Sequence, residues 1–201
     1  MSIQATLYLM TLAISAIISI ALALYTWQQR QTTGAKLFSL MMLALFGWSL
    51  AYFLQIISPD LASQAFWNKA TYFGIVTTPV LWFLFSLEYT ERKNWITRKR
   101  LIALFVFPVI TIFMIWTNNF HHLFWSTDGK LIQEGGILLR SAENGIWFWA
   151  HSLYSYSFIL AGTVMVFRAL IHWPSQYRGQ MIWVLLAVFA PWIFNVIQIF
   201  K

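Results

Sequence analysis

Cysteine is absent from this 201-residue chain, and charged residues are scarce. Without cysteine the chain can form no disulfide, bind no metal through thiolate and use no thiol nucleophile. Charged residues make up 9% of the sequence and apolar residues 60%, against about 25% and about 45–50% in soluble domains. A globular protein with so few charges could not cover its surface with polar groups. The composition therefore predicts a polytopic membrane protein and argues against an ordinary soluble domain.

The signatures of common catalytic sites are also missing. The sequence contains no HExxH, no glycine-rich phosphate loop, no GxSxG and no pair of carboxylates within an apolar run. Glu88 stands alone near the end of an apolar run, and we expect it to pair with Arg92, four residues later on a continuing helix. We therefore expect no enzymatic activity in this chain, no cofactor and no catalytic residue.

Six apolar stretches are long enough to cross a bilayer, which requires about 20 mostly apolar residues in a helix. They cover approximately residues 3–27, 37–57, 66–89, 101–117, 146–170 and 181–200. The first stretch has no basic region before it and is too long for a signal-peptide core, so it is predicted to remain as a helix. We expect an all-α fold, a polytopic transmembrane helix bundle that forms a single domain over residues 1–201.

The cations between the spans predict the orientation. The first, third and fifth connections carry nine Lys and Arg residues, whereas the second and fourth carry only Lys69, Lys130 and Arg140. Cytoplasmic connections hold the excess of cations, so the N-terminus is expected outside, in a multi-pass protein of the plasma or inner membrane. The net charge of +7 is thus explained by topology and lipid contact, and no nucleic-acid partner is expected. Lys201 would then lie outside too, directly after the last apolar residue, which suggests an incomplete chain or an accessory protein.

The fourth connection, residues 118–145, is the only long one. Asp128-Gly129 is a turn signal, and Glu134-Gly135-Gly136 is another that separates the short segments KLIQ and ILLR. Two short alternating segments around a glycine pair predict a β-hairpin. We expect a small extracellular hairpin between the fourth and fifth spans.

The same connection begins with WTNNFHHLFW, which is unusually rich in polar and aromatic side chains. Its candidate ligand-binding or sensing residues are Trp116, Asn118, Asn119, His121, His122 and Trp125. Phe120 to Trp125 are expected to form a short amphipathic turn at the membrane interface. The imidazoles could cap the loop, could titrate or line a ligand pocket, or could bind a metal. Adjacent histidines rarely reach one ion and zinc needs three or four ligands, so we expect no metal site.

Polar residues inside the spans form the second candidate set, because each such residue requires a partner in the membrane. The candidates are Asn68, His151, Tyr154 and Asn195. His151, Tyr154 and Ser155 share one helix face by i, i+3 and i+4 spacing. Gln55 completes a set of polar groups at one depth in four spans. This set predicts either hydrogen bonds between helices or an outward-facing pocket.

Three segments, LEYTERKNWITRKR (87–100), WTNNFHHLFW (116–125) and PWIFNVIQIF (191–200), follow one another along the chain. In this order they resemble the N-terminal seven-transmembrane sensor region of bacterial and archaeal histidine kinases, and the resemblance covers nearly the whole chain. HHLFW is its most specific part. The resemblance implies an outer N-terminus, seven helices and a cytoplasmic effector, usually a PAS domain with a histidine kinase and sometimes a diguanylate cyclase. The present sequence contains neither the seventh span nor an effector.

The resemblance also implies a role for the chain and a set of structural or sensing positions, none of them catalytic. The positions are Asn118, Asn119, His121, His122, Phe124 and Trp125, with Pro191 and Asn195 in the sixth span. We expect a membrane-embedded sensory module without catalytic output, in contact with the lipid bilayer and able to form a homodimer. The alternative is a structural or accessory subunit of a larger membrane complex, and a third possibility is a small-molecule transporter.

Overall fold

The computed structural model describes residues 3–134 and 136–172. Its helices are α1 (Ile3–Gln28), α2 (Ala35–Ile57), α3 (Leu61–Tyr89), α4 (Arg98–Trp116), the single turn α5 (Asn118–His121) and α6 (Ile146–His172). All except α5 are long and apolar enough to cross a membrane, which confirms the predicted all-α polytopic bundle. The predicted sixth span, residues 181–200, lies outside the described residues.

Side-chain caps set the starts of two helices. Helix α3 begins at Leu61, earlier than predicted, because Asp60 Oδ1 accepts a hydrogen bond from the Ser63 N–H at 2.9 Å. This hydrogen bond lowers the pKa of the Asp60 carboxyl. Thr97 Oγ1 caps α4 in the same way, by accepting from the Arg100 N–H at 3.4 Å. The helices therefore extend into polar sequence beyond their apolar runs.

Helix α3 is the centre of the bundle. It packs against α2, α4 and α6, and most of its residues from Thr71 to Leu87 are buried. Helix α1 packs on α2 and leaves most of its apolar side chains exposed. The predicted Glu88–Arg92 pair is wrong, because α3 ends at Tyr89; Glu88 instead lies 3.6 Å from Lys93 Nζ.

Glycines let neighbouring helices approach α3 closely on two sides. A Cβ atom at Gly74 would lie 2.7 Å from Trp48 Cβ and still closer to the Ala44 carbonyl oxygen, both on α2. A Cβ atom at Gly162 of α6 would lie 2.7 Å from Trp82 Nε1. Close approach of backbones through small residues is a common way to pack helices in membranes.

The predicted hairpin is present. Strand β1 (Lys130–Glu134) pairs antiparallel with β2 (Ile137–Ser141), and Lys130 lies opposite Ser141. Gly136 adopts φ +82° in the turn, a conformation that glycine reaches without strain. The hairpin contacts α2 and α3 through β2. We call this end of the bundle the hairpin end.

The opposite end contains the connections 29–34 and 90–97. A Cβ atom at Gly34 would lie 3.1 Å from Phe85 near the end of α3, so the two connections lie at the same end. A 3₁₀ turn, Lys93–Trp95, joins α3 to α4 there. We call it the basic end, after the cations of these connections.

Candidate functional site

The segment after α4 is held by the side chain of Asn118. Its Oδ1 accepts hydrogen bonds from the backbone N–H groups of Phe124 at 2.9 Å and Trp125 at 3.1 Å. Its Nδ2 donates to the Trp125 carbonyl oxygen at 3.0 Å, and only 3% of Asn118 is exposed. A buried amide with three backbone partners fixes the path of residues 118–125. Asn118, a sequence candidate, is therefore a structural clamp in this fold.

The aromatic residues of HHLFW enter the bundle. Phe124 is fully buried, and its ring centroid lies 4.9 Å from that of Tyr72, edge to face. Trp125 is 5% exposed and lies 5.7 Å from the same tyrosine ring. Both rings are therefore buried in the bundle, whereas Phe120 is 89% exposed. Burial against α3 stabilises these rings, because it removes nearly all of their surface from solvent.

The segment is also joined to the start of α6. The Leu123 and Phe124 carbonyl oxygens accept from the N–H groups of Trp147 at 2.9 Å and Gly145 at 2.8 Å. A Cβ atom at Gly145 would clash with the Leu123 carbonyl group, so this contact requires glycine. A conformational change in residues 118–125 would therefore move or break the hydrogen bonds to the first turn of α6.

The two adjacent histidines have different environments. His121 Nδ1 accepts from the Leu123 N–H at 3.0 Å, and its Nε2 lies 3.2 Å from Thr117 Oγ1, so His121 caps the turn as one of the sequence alternatives proposed. His122 is exposed, adopts φ +51°, and its Nδ1 lies 3.8 Å from a carboxylate oxygen of Asp128. No group of three metal-binding side chains occurs in the described part of the chain.

A polar network attaches the hairpin to the helices. Gln64 Oε1 accepts from the Arg140 N–H at 2.7 Å, and its Nε2 donates to the Leu138 carbonyl oxygen at 2.8 Å. The side-chain amide thus bonds to the backbone of β2 as a neighbouring strand would. Asn68 Oδ1 lies 3.4 Å from Arg140 Nη1, and Asn68 Nδ2 donates to Gln55 Oε1 at 3.2 Å. The network thus links β2 with α3 and α2, and it confirms hydrogen bonding between Gln55 and Asn68 of neighbouring spans.

Arg140 is the centre of that network. Its guanidinium lies 4.7 Å from the centroid of the Trp125 ring, and Nη2 donates to the Asp128 carbonyl oxygen at 2.9 Å. Partial burial lowers the pKa of Arg140, but an arginine stays charged at neutral pH. Its Nε is buried without a hydrogen-bond partner among the described residues. Arg140 therefore joins the hairpin to the HHLFW segment by stacking and hydrogen bonds.

The polar residues His151 and Tyr154 of α6 contact different neighbours. His151 is 4% exposed, its Nδ1 lies 3.4 Å from Ser155 Oγ, and its ring is packed beside Tyr72 and Phe124. Tyr154 reaches α4 instead, where its hydroxyl donates to the Leu104 carbonyl oxygen at 2.6 Å. That carbonyl lies four residues before Pro108, which has no N–H to offer it. Tyr154 thus satisfies the acceptor that the proline leaves free.

Two further sequence candidates, Trp116 and Asn119, lie outside these networks. Trp116 is 40% exposed and packs against Phe66, with ring centroids 5.7 Å apart, and the exposed Asn119 has its Oδ1 3.5 Å from Lys69 Nζ. Asn195 lies outside the described residues. Sequence reasoning missed Gln64. Its position four residues before Asn68 and eight before Tyr72 places it on the same face of α3, and this spacing could have identified it.

A groove of about 230 Å³ lies between α1 and α2, away from these residues. It is lined by Ala13, Ala16, Ile17, Ile20, Phe46, Leu50 and Phe53. Such a lining offers no polar group to orient a ligand, and none of the candidates among the described residues contributes to it.

The sequence was compared with known protein families, curated proteins and solved structures. The sequence model of a family described as the N-terminal 7TM region of histidine kinase matches residues 11–201. No curated protein and no solved structure shows a significant match. The matched range includes the HHLFW segment, the hairpin and all five long helices except the first residues of α1.

Proposed function

Because the chain belongs to the family of N-terminal 7TM regions of histidine kinases, we propose that it is the membrane-embedded sensory input module of a two-component system. This region of such kinases is the non-catalytic input part. The proposal extends the multi-pass membrane character, which the family and the apolar helices establish, to a role in signalling.

The connectivity of the hairpin end supports this role. We define the cap as residues 118–126 together with β1 and β2. The cap bonds to α3 through Gln64 and Asn68, and to α6 through the Trp147 N–H. Asn68 in turn donates to Gln55, which extends the connection to α2. A ligand that prefers one arrangement of the cap would therefore favour one packing of these helices, which is how a stimulus can shift a conformational equilibrium.

At the hairpin end, exposure divides the candidates into two groups. Asn118, Trp125 and His151 are buried and would act by holding the cap in place. His122, Asn119 and Trp116 are exposed and are the residues available to a stimulus. We propose no metal or cofactor here, because the exposed group contains a single histidine and no thiolate.

Arg140→Gln tests whether the cap controls output in the full-length protein. The substitution removes the charge that stacks on Trp125 and is expected to change the resting autophosphorylation rate severalfold in membrane vesicles. Lys130→Gln is the matched control, since Lys130 is exposed on the same hairpin, and it should leave the rate within twofold. Equal rates for both variants and wild type, at equal expression, would rule out this role for the cap.

We further propose that the hairpin end faces outside in the plasma or inner membrane and that the protein works as a homodimer. The cations of the basic end support a cytoplasmic position for that end. Because the chain lacks cysteine, a single cysteine can be placed at Lys130 or at Lys99 and treated on intact cells with a membrane-impermeant thiol reagent. Labelling at position 130 alone is expected; labelling at position 99 alone would reverse the assignment.

A further inference from the structure

The basic end carries many cations and few acidic partners. In its two connections and the adjoining helix ends the cations are Arg30, Lys36, Arg92, Lys93, Arg98, Lys99 and Arg100, and the acids are Glu88 and Glu91. The Lys93–Glu88 contact is the ion pair that the described residues form there. Residues 91–95 and 97–100 are all exposed. This surface therefore has an excess of positive charge that the described part of the chain does not neutralise.

Two of the cations are held in the same way by a tryptophan. The Arg30 guanidinium lies 5.6 Å from the centroid of the Trp27 ring, and its Nη1 lies 3.4 Å from the Trp27 carbonyl oxygen. The Arg100 guanidinium lies 4.9 Å from the Trp95 ring centroid, and its Nη1 donates to the Trp95 carbonyl oxygen at 3.0 Å. In each pair one face of the guanidinium is covered by an indole, while its other N–H groups make no hydrogen bond to the described residues.

The tryptophans define the depth of these guanidinium groups. Trp27 lies in the last turn of α1, and Trp95 precedes α4 and packs edge-on against Phe83 of α3, with ring centroids 5.5 Å apart. Tryptophans at the ends of spanning helices favour the level of the lipid headgroups. Arginines stacked on them lie at the same level, where the phosphate oxygens of phospholipids are found, and guanidinium matches those oxygens with two parallel N–H groups.

The start of α4 adds a further reason for an anionic neighbour. Arg98, Lys99 and Arg100 occupy its first turn, where the helix dipole and the free N–H groups disfavour positive charge. Three successive cations at this point lower the stability of the isolated protein. An anionic surface that contacts them would reverse the sign of that effect.

We propose that the two pairs Trp27–Arg30 and Trp95–Arg100 bind the phosphate headgroups of anionic phospholipids in the leaflet at the basic end. The indole of each pair contacts the upper acyl and glycerol region, and the guanidinium contacts the phosphate. The neighbouring cations Arg98 and Lys99 favour lipids with a net negative charge over zwitterionic lipids. Free phosphate shares the chemistry of the headgroup but has no apolar part for the indoles.

The test uses the 201-residue chain in bilayer discs made from equal amounts of phosphatidylglycerol and phosphatidylcholine. The lipids that stay bound after a mild detergent wash are counted by native mass spectrometry. Wild type is expected to retain more phosphatidylglycerol than phosphatidylcholine. The double variant Arg30→Lys, Arg100→Lys keeps the positive charges that set the topology but removes the guanidinium groups stacked on the indoles. Its preference for phosphatidylglycerol over phosphatidylcholine should fall by roughly two- to fivefold.

Lys130→Arg, a charge-preserving change at the hairpin end, is the matched control and should retain lipids as wild type does. Circular dichroism verifies that each variant is folded. A wild type without lipid preference, or a double variant with an unchanged preference, would overturn the proposal. Inorganic phosphate added at the same ionic strength as a chloride control provides the remaining arm: specific displacement of phosphatidylglycerol by phosphate would assign the site to free phosphate and overturn the lipid assignment.

Discussion

Replacing Asn118 with alanine is expected to lower the free energy of unfolding by about 3 kcal/mol. The substitution removes three hydrogen bonds and leaves the N–H groups of Phe124 and Trp125 buried without an acceptor. The loss should appear as a lower midpoint of thermal unfolding in detergent, monitored by tryptophan fluorescence. Because Trp125 packs on Tyr72, its emission should also shift before the helices unfold.

The neighbouring amide is the matched control for this prediction. Asn119 is exposed, and its side-chain oxygen has only a 3.5 Å contact with Lys69, so Asn119→Ala should change stability by less than about 0.5 kcal/mol. Asn118→Asp keeps the acceptor oxygen but loses the donor to the Trp125 carbonyl, and it should fall between the other two variants. If the alanine variants at positions 118 and 119 have the same midpoint of thermal unfolding, Asn118 does not hold the cap in place.

Replacing Gly74 with leucine is expected to prevent α2 from packing on α3. Even the first side-chain atom would meet the Ala44 carbonyl oxygen and Trp48 Cβ, and neither atom belongs to the flexible end of a side chain. Gly74→Ala should already cost about 1–3 kcal/mol through overpacking, and the leucine variant should yield little folded protein in detergent. Size-exclusion chromatography with a fluorescent fusion measures the folded fraction of each.

Gly47 provides the comparison on the facing helix. A Cβ atom there would meet nothing within 4 Å, so Gly47→Ala should be neutral or should stabilise α2 by up to about 1 kcal/mol. A Gly74→Ala variant as stable as Gly47→Ala would show that α2 and α3 do not approach each other as closely as the structure has them.

The sequence by itself determined the class of the protein and the order of its elements. Low charge and long apolar runs require helices that satisfy their own backbone groups in a membrane, which is why five spans were located without tertiary information. The hairpin was predictable because Gly135-Gly136 between alternating segments is a local signal. The three segments 87–100, 116–125 and 191–200 also indicated the family whose sequence model matches the chain.

Only the tertiary structure decided which residues of that segment hold the cap. The sequence drew attention to the histidines, yet Asn118 makes the three buried hydrogen bonds. This depends on residues 124 and 125 folding back against the start of α5. The partners of Arg140, Gln64 on α3 and Trp125 in the cap, are likewise distant in sequence or on another element. Local patterns encode helix faces and turns, whereas contacts between elements depend on how the whole bundle packs, and a single sequence does not specify them by spacing.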